Sequence, residues 1–160
     1  MTDTMTTSTH LIEFNLLGPM LLLHTFIPML KLFHARVIFI GSSLGQMPSS
    51  MIPSYSTAKH GLQGWCLSMR HELQGSHGNA SVSLVQAPIS CASCYEESYR
   101  MRDLPKGTNA VIKSIQHAVM STHPCAVYYP NATSMFEAAL SALPKELSLL
   151  RKTYEVYRLK

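Results

Sequence analysis

The chain has 160 residues, of which 46% are hydrophobic and 14% are charged, and its formal net charge is +4. This composition is typical of a globular domain and excludes a disordered chain, and the length suffices for one domain with a sizeable core. The basic residues are scattered without interleaved aromatics, which excludes a nucleic-acid surface, and four cysteines and eight dispersed histidines predict neither a disulfide framework nor a metal site.

The first predicted element is an apolar helix. The opening residues, Met1 to His10, are polar and lack the charged and apolar blocks of a signal peptide. An apolar stretch follows over Leu16–Phe33, and four residues interrupt it: Pro19, His24, Pro28 and Lys31. Because of these interruptions, and because its length is at the lower limit for a membrane span, we interpret the stretch as a buried helix rather than a transmembrane segment.

A short buried strand is predicted at Val37–Ile40, where three of the apolar residues are β-branched and one is aromatic. The segment Gly41-Ser42-Ser43-Leu44-Gly45 ends this strand. In open α/β sheets, ligands bind outside the carboxyl ends of the strands. The serine hydroxyls just past this strand are therefore well placed for chemistry.

A long helix is predicted over Ser54–Gln74, closed by Gly75 and Gly78. Tyr55 and Lys59 lie in its first turns, four residues apart, so the two side chains share one face of the helix. An ammonium close to a phenol stabilises the phenolate and lowers the tyrosine pKa from its ordinary value of about 10. A tyrosine tuned in this way can transfer a proton near neutral pH, so this pair is the candidate acid/base group.

Further elements follow in the C-terminal half. Residues Ala80–Gln86 alternate at period two, which predicts a second strand. Cys91 and Cys94 have the spacing of metal ligands, but no second pair accompanies them, so no zinc site is predicted. The remaining segments are an irregular polar stretch at Tyr95–Thr108, a helix at Asn109–His123, a short strand at Ala126–Pro130 and a helical tail at Met135–Tyr157.

The order and spacing of these motifs resemble those of the short-chain dehydrogenase/reductase family. Its members carry an Asn-x-x-Gly segment, an apolar strand, a Ser-Ser-x-x-Gly segment, a proline-containing loop and a Tyr-x-x-x-Lys pair. The matching segments here are Asn15-Leu16-Leu17-Gly18, Ser42-Ser43-Leu44-Gly45, Tyr55-Ser56-Thr57-Ala58-Lys59, Gly64-Trp65 and Met69-Arg70-His71-Glu72-Leu73. The resemblance extends over residues 12–93, and Val127-Tyr128-Tyr129 is similar to a segment near the end of 11β-hydroxysteroid dehydrogenase-like members.

The resemblance implies an α/β fold, a partial Rossmann-type doubly wound sheet that corresponds to the second half of the family domain. Family members begin with a βαβ half whose glycine-rich turn holds the cofactor diphosphate. No glycine precedes Asn15 in this chain. We therefore expect residues 1–160 to form a single, truncated domain from which the N-terminal cofactor-binding half is missing.

The resemblance also implies a catalytic set. Tyr55 would transfer the proton, and Lys59 would lower the Tyr55 pKa and bind the nicotinamide ribose. Ser43 would hold the substrate oxygen, and Asn15 would orient a water molecule linked to Lys59. The interval from Ser43 to Tyr55 is one residue shorter than is usual in the family, so Ser42 is the alternative by simple count, whereas the motif context favours Ser43.

A cofactor loop is expected after the second strand. Pro88 and Ser93 match in type the Pro-Gly-x-x-x-Thr segment that closes over the nicotinamide in the family, so both are candidate cofactor contacts. Ile89 replaces the glycine of that segment. Because a β-branched residue does not adopt a positive φ without strain, we expect the backbone of this loop to differ from that of the family.

Two functions follow as alternatives. The first is an NAD(P)(H)-dependent oxidoreductase that acts on an alcohol or carbonyl of an apolar, steroid- or retinoid-like substrate, with NADP or NAD as cofactor. The second is a catalytically inactive truncated fragment that acts as a subunit-pairing or regulatory partner, forming a homo- or heterodimer through its long helices. The sequence leaves association with a membrane open, and with it the choice between the cytoplasm and the endoplasmic reticulum.

Overall fold

The computed structural model describes residues 4–47, 52–76, 80–88 and 108–144. The helices and strands, in chain order, are α1 Met5–Ile12, α2 Gly18–Phe33, β1 Arg36–Ser42, α3 Pro53–Ser76, β2 Ser81–Ala87, α4 Thr108–Met120, β3 Val127–Tyr128 and α5 Ala132–Ser141. A π-helical turn, Glu13–Leu17, joins α1 to α2, and a 3₁₀ turn, Ser43–Gly45, follows β1.

The three strands form a parallel sheet in the order β1-β2-β3. The register pairs Arg36 with Ser81 at one end of β1 and Ser42 with Ala87 at the other, so β1 and β2 end at the same edge. Parallel neighbours require a crossover connection, and α3 lies in the connection between β1 and β2. This arrangement confirms the predicted α/β fold with a Rossmann-type parallel sheet.

Helices cover both faces of the sheet. On one face, α2 and α3 pack against alternate residues of the strands, among them Val37, Phe39 and Leu84. On the other face, α4 packs against the intervening residues, including Ile38 and Val85. Because helices cover both faces and β1 and β3 flank it, β2 is buried along nearly its whole length.

Two arginines fasten α3 and α4 to the strands. Arg36, the first residue of β1, donates from Nη1 to the carbonyls of Val119 at 2.8 Å and Ser121 at 2.5 Å, at the C-terminal end of α4. Arg70, on α3, donates to the Val82 carbonyl at 2.5 Å and to another carbonyl in the turn before β3. A cation at a helix C-terminus meets carbonyls that have no intrahelical partner, so Arg36 both caps α4 and fixes it to β1.

The N-terminal helix differs from the prediction in extent and in burial. Helicity begins at Met5, within the threonine-rich segment, because Thr4 caps the helix by accepting a hydrogen bond from the Thr7 amide at 3.2 Å. Ser54 on α3 also donates a hydrogen bond to Ser8 at 2.7 Å, which holds α1 in place. The continuous helix from Met5 to Phe33 has 29 residues and contains an 18-residue segment of mean hydropathy 1.6, so by length and composition it could cross a membrane. Only 11% of that segment is buried, whereas the sequence predicted a buried helix.

The other elements agree with the prediction within a few residues. The strands at Arg36–Ser42, Ser81–Ala87 and Val127–Tyr128 and the helix at Thr108–Met120 lie where the patterns placed them. Helix α3 continues through Gly75, which was predicted to close it. The polar stretch before Thr108 and the tail beyond residue 144 lie outside the described residues, as do Gly78, Ile89, Cys91, Ser93 and Cys94.

A pair of glycine substitutions tests how closely the serine turn packs on α3. A Cβ on Gly45 would lie 2.8 Å from the Lys59 carbonyl oxygen, whereas a Cβ on Gly64 would meet nothing within 4 Å. We expect Gly45→Ala to lower the free energy of unfolding by about 1–3 kcal/mol, because the contact is with backbone. Gly64→Ala, in the middle of α3, should raise it by about 0.5–1 kcal/mol. Urea denaturation followed by circular dichroism measures both, and equal effects would contradict the described packing.

Candidate active site

Helix α3 brings the Tyr55 and Lys59 side chains together. The helix begins at Pro53, a residue suited to the first helical position, so Tyr55 and Lys59 lie in its first two turns. The Lys59 Nζ is 5.5 Å from the centroid of the Tyr55 ring, within the range of a cation–π contact. The same Nζ donates a hydrogen bond to the Ile40 carbonyl at 3.3 Å. The ammonium therefore lies between the tyrosine ring and the carboxyl end of β1.

Burial changes the titration of Lys59. Desolvation lowers the pKa of Lys59 below the ordinary lysine value of 10.5, and the nearby Cys66 thiol opposes this shift. Burial in turn raises the pKa of Cys66 to about 12. Burial thus disfavours the charged form of Lys59, while Cys66 is a protonated core residue and no nucleophile.

The two serines of the 3₁₀ turn have different surroundings. Ser42, the last residue of β1, caps the turn, and its Oγ accepts a hydrogen bond from the Leu44 amide at 3.3 Å. Ser43 is fully buried, and its Oγ has no hydrogen-bond partner among the described residues. An unpaired hydroxyl inside a protein costs about 1–3 kcal/mol, so a buried one calls for an explanation. Among the described residues, nothing therefore accounts for the buried Ser43 hydroxyl, and none of them accepts a hydrogen bond from the Ser42 hydroxyl.

Glycine at position 45 places this turn against α3. Its α-carbon approaches the backbone of Lys59 so closely that a side chain would collide with the carbonyl group. The serines, the lysine and the end of β1 are consequently held within one compact region. Gln46, the next residue, donates from Nε2 to the Tyr129 hydroxyl at 3.0 Å, which links the turn to the residue that follows β3.

Asn15 lies in the π-helical turn Glu13–Leu17. Its Nδ2 donates to the Leu11 carbonyl at 3.1 Å, a group in the preceding turn of the same helix. The adjacent Leu16 packs on α3 at Gly61, where an added Cβ would lie 3.0 Å from the leucine side chain. Single π-helical turns are frequent at functional sites. The structure thus sets Asn15 in a distorted turn that contacts the helix carrying Lys59.

A glutamine pair continues the polar face of α3, and the sequence analysis missed it. Gln63 lies one turn beyond Lys59, and its Oε1 accepts a hydrogen bond at 2.5 Å from Nε2 of Gln86, a fully buried residue of β2. Gly41 makes room for it, since a Cβ there would lie 2.6 Å from the Gln86 Oε1. That oxygen has no partner among the described residues. The four-residue spacing of Tyr55, Lys59 and Gln63 is the sequence pattern that could have placed Gln63 on the same helix face as the other two residues.

The remaining candidate residues are placed as follows. Pro88 is partly buried and directly follows β2, whose last residue, Ala87, is paired with Ser42, so Pro88 lies at the same edge of the sheet as the serines. Ser93, the other predicted cofactor contact, is outside the described residues. Within the described ranges, no group of three or more metal-ligating side chains converges.

Comparison with known proteins identifies the type of domain. A family model for the short chain dehydrogenases matches residues 2–94, more than half of this chain. A hydroxysteroid 11-beta-dehydrogenase 1-like protein from Gallus gallus is 36% identical over 58 residues, which cover 36% of this chain and 20% of the chicken protein.

A solved structure shows the same fold. A short-chain dehydrogenase from Streptomyces avermitilis superposes with a TM-score of 0.70 at 16% identity, over 95% of this chain and 63% of that chain. At that identity the likeness concerns the fold alone. This chain spans less than two thirds of the length of either protein, so their activities are not carried over to it directly.

Cysteine alkylation tests the burial beside Lys59. At about pH 8, iodoacetamide should modify the exposed Cys125 in the native chain and leave the buried Cys66 unmodified, because the Cys66 pKa is raised to about 12 and little thiolate forms. Peptide mass mapping resolves the two sites. In concentrated urea both should react, which serves as the control. Rapid modification of native Cys66 would show that this side of α3 is open to solvent.

Proposed function

This chain belongs to the short-chain dehydrogenase family, and from that premise we propose that it is an NAD(P)(H)-dependent oxidoreductase acting on the alcohol or carbonyl of an apolar substrate, with Tyr55 as the acid/base. The observation that most supports this function is the position of the Lys59 Nζ. It lies 5.5 Å from the Tyr55 ring centroid and donates a hydrogen bond to the Ile40 carbonyl. That position puts a cation beside a phenol at the carboxyl end of a parallel strand, where ligands of such sheets bind.

In carbonyl reduction, Tyr55 donates its hydroxyl proton to the carbonyl oxygen, and the phenolate that remains is stabilised by the Lys59 ammonium. In alcohol oxidation, the same phenolate accepts the alcohol proton. A nicotinamide held beside Lys59 would supply or take up the hydride. The partial burial of Lys59 strengthens its interaction with the phenolate, because charges interact more strongly where water is excluded.

A serine hydroxyl holds the substrate oxygen. As hydride reaches the carbonyl carbon, the oxygen gathers negative charge, and a donor already in place stabilises that charge. Ser43 is the proposed donor, because its buried Oγ has no partner among the described residues. Ser42 is the alternative, and its Oγ is engaged as an acceptor by the Leu44 amide. Asn15 is proposed to orient a water molecule that connects Lys59 to solvent.

The described residues fit one end of a nicotinamide cofactor. The family generally uses NAD(P), and the Lys59 amine and a serine hydroxyl are suitable partners for ribose and nicotinamide oxygens at the carboxyl edge of the sheet. The diphosphate requires glycines and a helix N-terminus that let the backbone approach it. Since no glycine precedes Asn15 in this sequence, these residues do not fit the diphosphate end.

A steroid-like or retinoid-like substrate is the proposed class. The chicken relative is named a hydroxysteroid 11-beta-dehydrogenase 1-like protein, and it shares 36% identity over the matched segment. The exposed apolar surface of α2 favours a second candidate function, a subunit that pairs with a dehydrogenase and has no turnover of its own.

Cofactor titration and one substitution separate these two functions. If the chain is an independent enzyme, it binds NADPH or NADH saturably through the nicotinamide end, seen as a change in nucleotide fluorescence, and reduces an 11-oxo steroid. Tyr55→Phe should lower turnover by about 10²–10⁴ and leave nucleotide binding intact, because only the acid/base proton is lost. Thr57→Ala, at an exposed position between Tyr55 and Lys59, is the matched control and should retain activity. Absence of saturable binding by the chain would exclude independent catalysis and leave the pairing function.

The two serines can be distinguished by comparing activity with stability. Ser43→Ala should reduce turnover by about 10²-fold, as loss of a donor to a developing oxyanion does, with little loss of folding free energy because its hydroxyl has no partner. Ser42→Ala should lower the free energy of unfolding by about 0.5–2 kcal/mol through loss of the cap. Steady-state kinetics and urea denaturation of both variants test this assignment, and the reverse pattern in turnover would transfer the role to Ser42.

A further inference from the structure

Gln46 links the serine turn to the end of strand β3. It directly follows the 3₁₀ turn Ser43–Gly45, and its Nε2 donates a hydrogen bond to the Tyr129 hydroxyl at 3.0 Å. Because β1 and β3 lie on either side of β2, this hydrogen bond spans the carboxyl edge of the sheet. The turn is therefore held on two sides, by the backbone of Lys59 against Gly45 and by Tyr129 at Gln46.

Tyr129 is anchored by the chain on both sides of it. The preceding residue, Tyr128, is paired with Val85 in the sheet. The following residue is Pro130, whose ring fixes its own φ and restricts the residue before it to extended conformations. Asn131 then begins α5 with a capping box. Tyr129 is consequently held on a rigid segment, to which the serine turn is attached.

The position of the Gln46 side chain depends on this hydrogen bond. Its Oε1 is buried and has no hydrogen-bond partner among the described residues. Without the Tyr129 hydroxyl both polar atoms of the amide would lack partners, which favours displacement of the amide toward water. The turn would move with it, because the Gln46 and Met47 amides both donate to the Ser43 carbonyl, each at 3.0 Å. The Ser43 hydroxyl would then be displaced as well.

We propose that Tyr129 is a positioning residue of the active site, which holds the serine turn through Gln46 so that the Ser43 hydroxyl meets the substrate oxygen. Tyr129 acts through Ser43 and not on the reacting atoms. The role of Ser43 rests on the proposed function, whereas the attachment of the turn to Tyr129 is independent of turnover. A misplacement of about 1 Å can cost up to about 10²-fold in rate, so this role predicts a loss in kcat.

Matched substitutions of two adjacent tyrosines test the proposal. Tyr129→Phe removes the acceptor of the Gln46 amide and should lower kcat for reduction of an 11-oxo steroid about tenfold, with KM and NADPH binding unchanged. Tyr128→Phe is the control. The Tyr128 hydroxyl is bonded to the Cys125 amide and to His117 of α4, each at 2.9 Å, so its loss should lower stability and leave kcat unchanged.

A Ser43→Ala background separates positioning from general destabilisation. In that background Tyr129→Phe should have no further effect on kcat, because both changes act on the same hydroxyl. An equally large loss of kcat in that background would overturn the proposal, as would equal kcat in Tyr129→Phe and the wild-type chain. Gln46→Leu, which removes the other partner of the hydrogen bond, should reproduce the effect of Tyr129→Phe.

Amide hydrogen exchange tests the attachment of the turn without reference to turnover. In Tyr129→Phe the Leu44, Gln46 and Met47 amides, which are bonded within the turn, should exchange about tenfold faster or more, whereas in Tyr128→Phe they should be unchanged. Unchanged protection of the turn in Tyr129→Phe would refute the attachment. Faster exchange in a chain that reduces no substrate would uphold the attachment and refute the proposed oxidoreductase activity. Circular dichroism verifies that each variant remains folded.

Discussion

The close contact between the serine turn and α3 determines the geometry of the site. Gly45 lets the turn after β1 approach the backbone of Lys59 at a distance that no side chain would permit. Because α3 lies this close to the end of β1, the Lys59 side chain reaches the Ile40 carbonyl and is drawn away from water. The same approach orients the first turn of α3, so that the Tyr55 ring lies beside the ammonium. A backbone contact therefore fixes the position of the acid/base pair.

Buried polar atoms without hydrogen-bond partners are concentrated near the serine turn, at the carboxyl ends of β1 and β2. Within the described residues, three buried polar atoms lack hydrogen-bond partners: Ser43 Oγ, Gln46 Oε1 and Gln86 Oε1. All three residues lie at or just beyond the carboxyl ends of β1 and β2. Each such atom costs about 1–3 kcal/mol, and a fold that carries three at one edge is destabilised there. Water or a ligand that supplies the missing hydrogen bonds would be bound preferentially at this edge, which is the property a substrate and cofactor site needs.

The sequence predicted the elements that depend on local pattern and missed those that depend on tertiary contact. Apolar β-branched runs located β1 and β2, and the four-residue interval located Tyr55 and Lys59 on one face. The helicity of Met5–Ile12 was missed because threonine is a weak helix former, and the cap at Thr4 and the contact with α3 outweigh that preference. The Gln63–Gln86 pair was missed because it joins residues distant in the chain through the space left by Gly41. Which of Ser42 and Ser43 holds the substrate oxygen depends on the backbone conformation of the turn, because that conformation sets the direction of each hydroxyl. Residue types alone do not specify it.

Helix α2 carries apolar residues on two faces, and the two faces lie in different environments. Leu23 and Leu30 are buried against α3 and the sheet, whereas the apolar residues on the neighbouring face are about half exposed or more. A helix that is apolar all round is stable in water only when a second surface covers it. The face left open lies beside Ala35, Val37 and Phe39, along the first half of β1. Covering that face would remove apolar surface from water, so the stability of the fold depends on what lies against α2 as well as on the core between α2, α3 and the sheet.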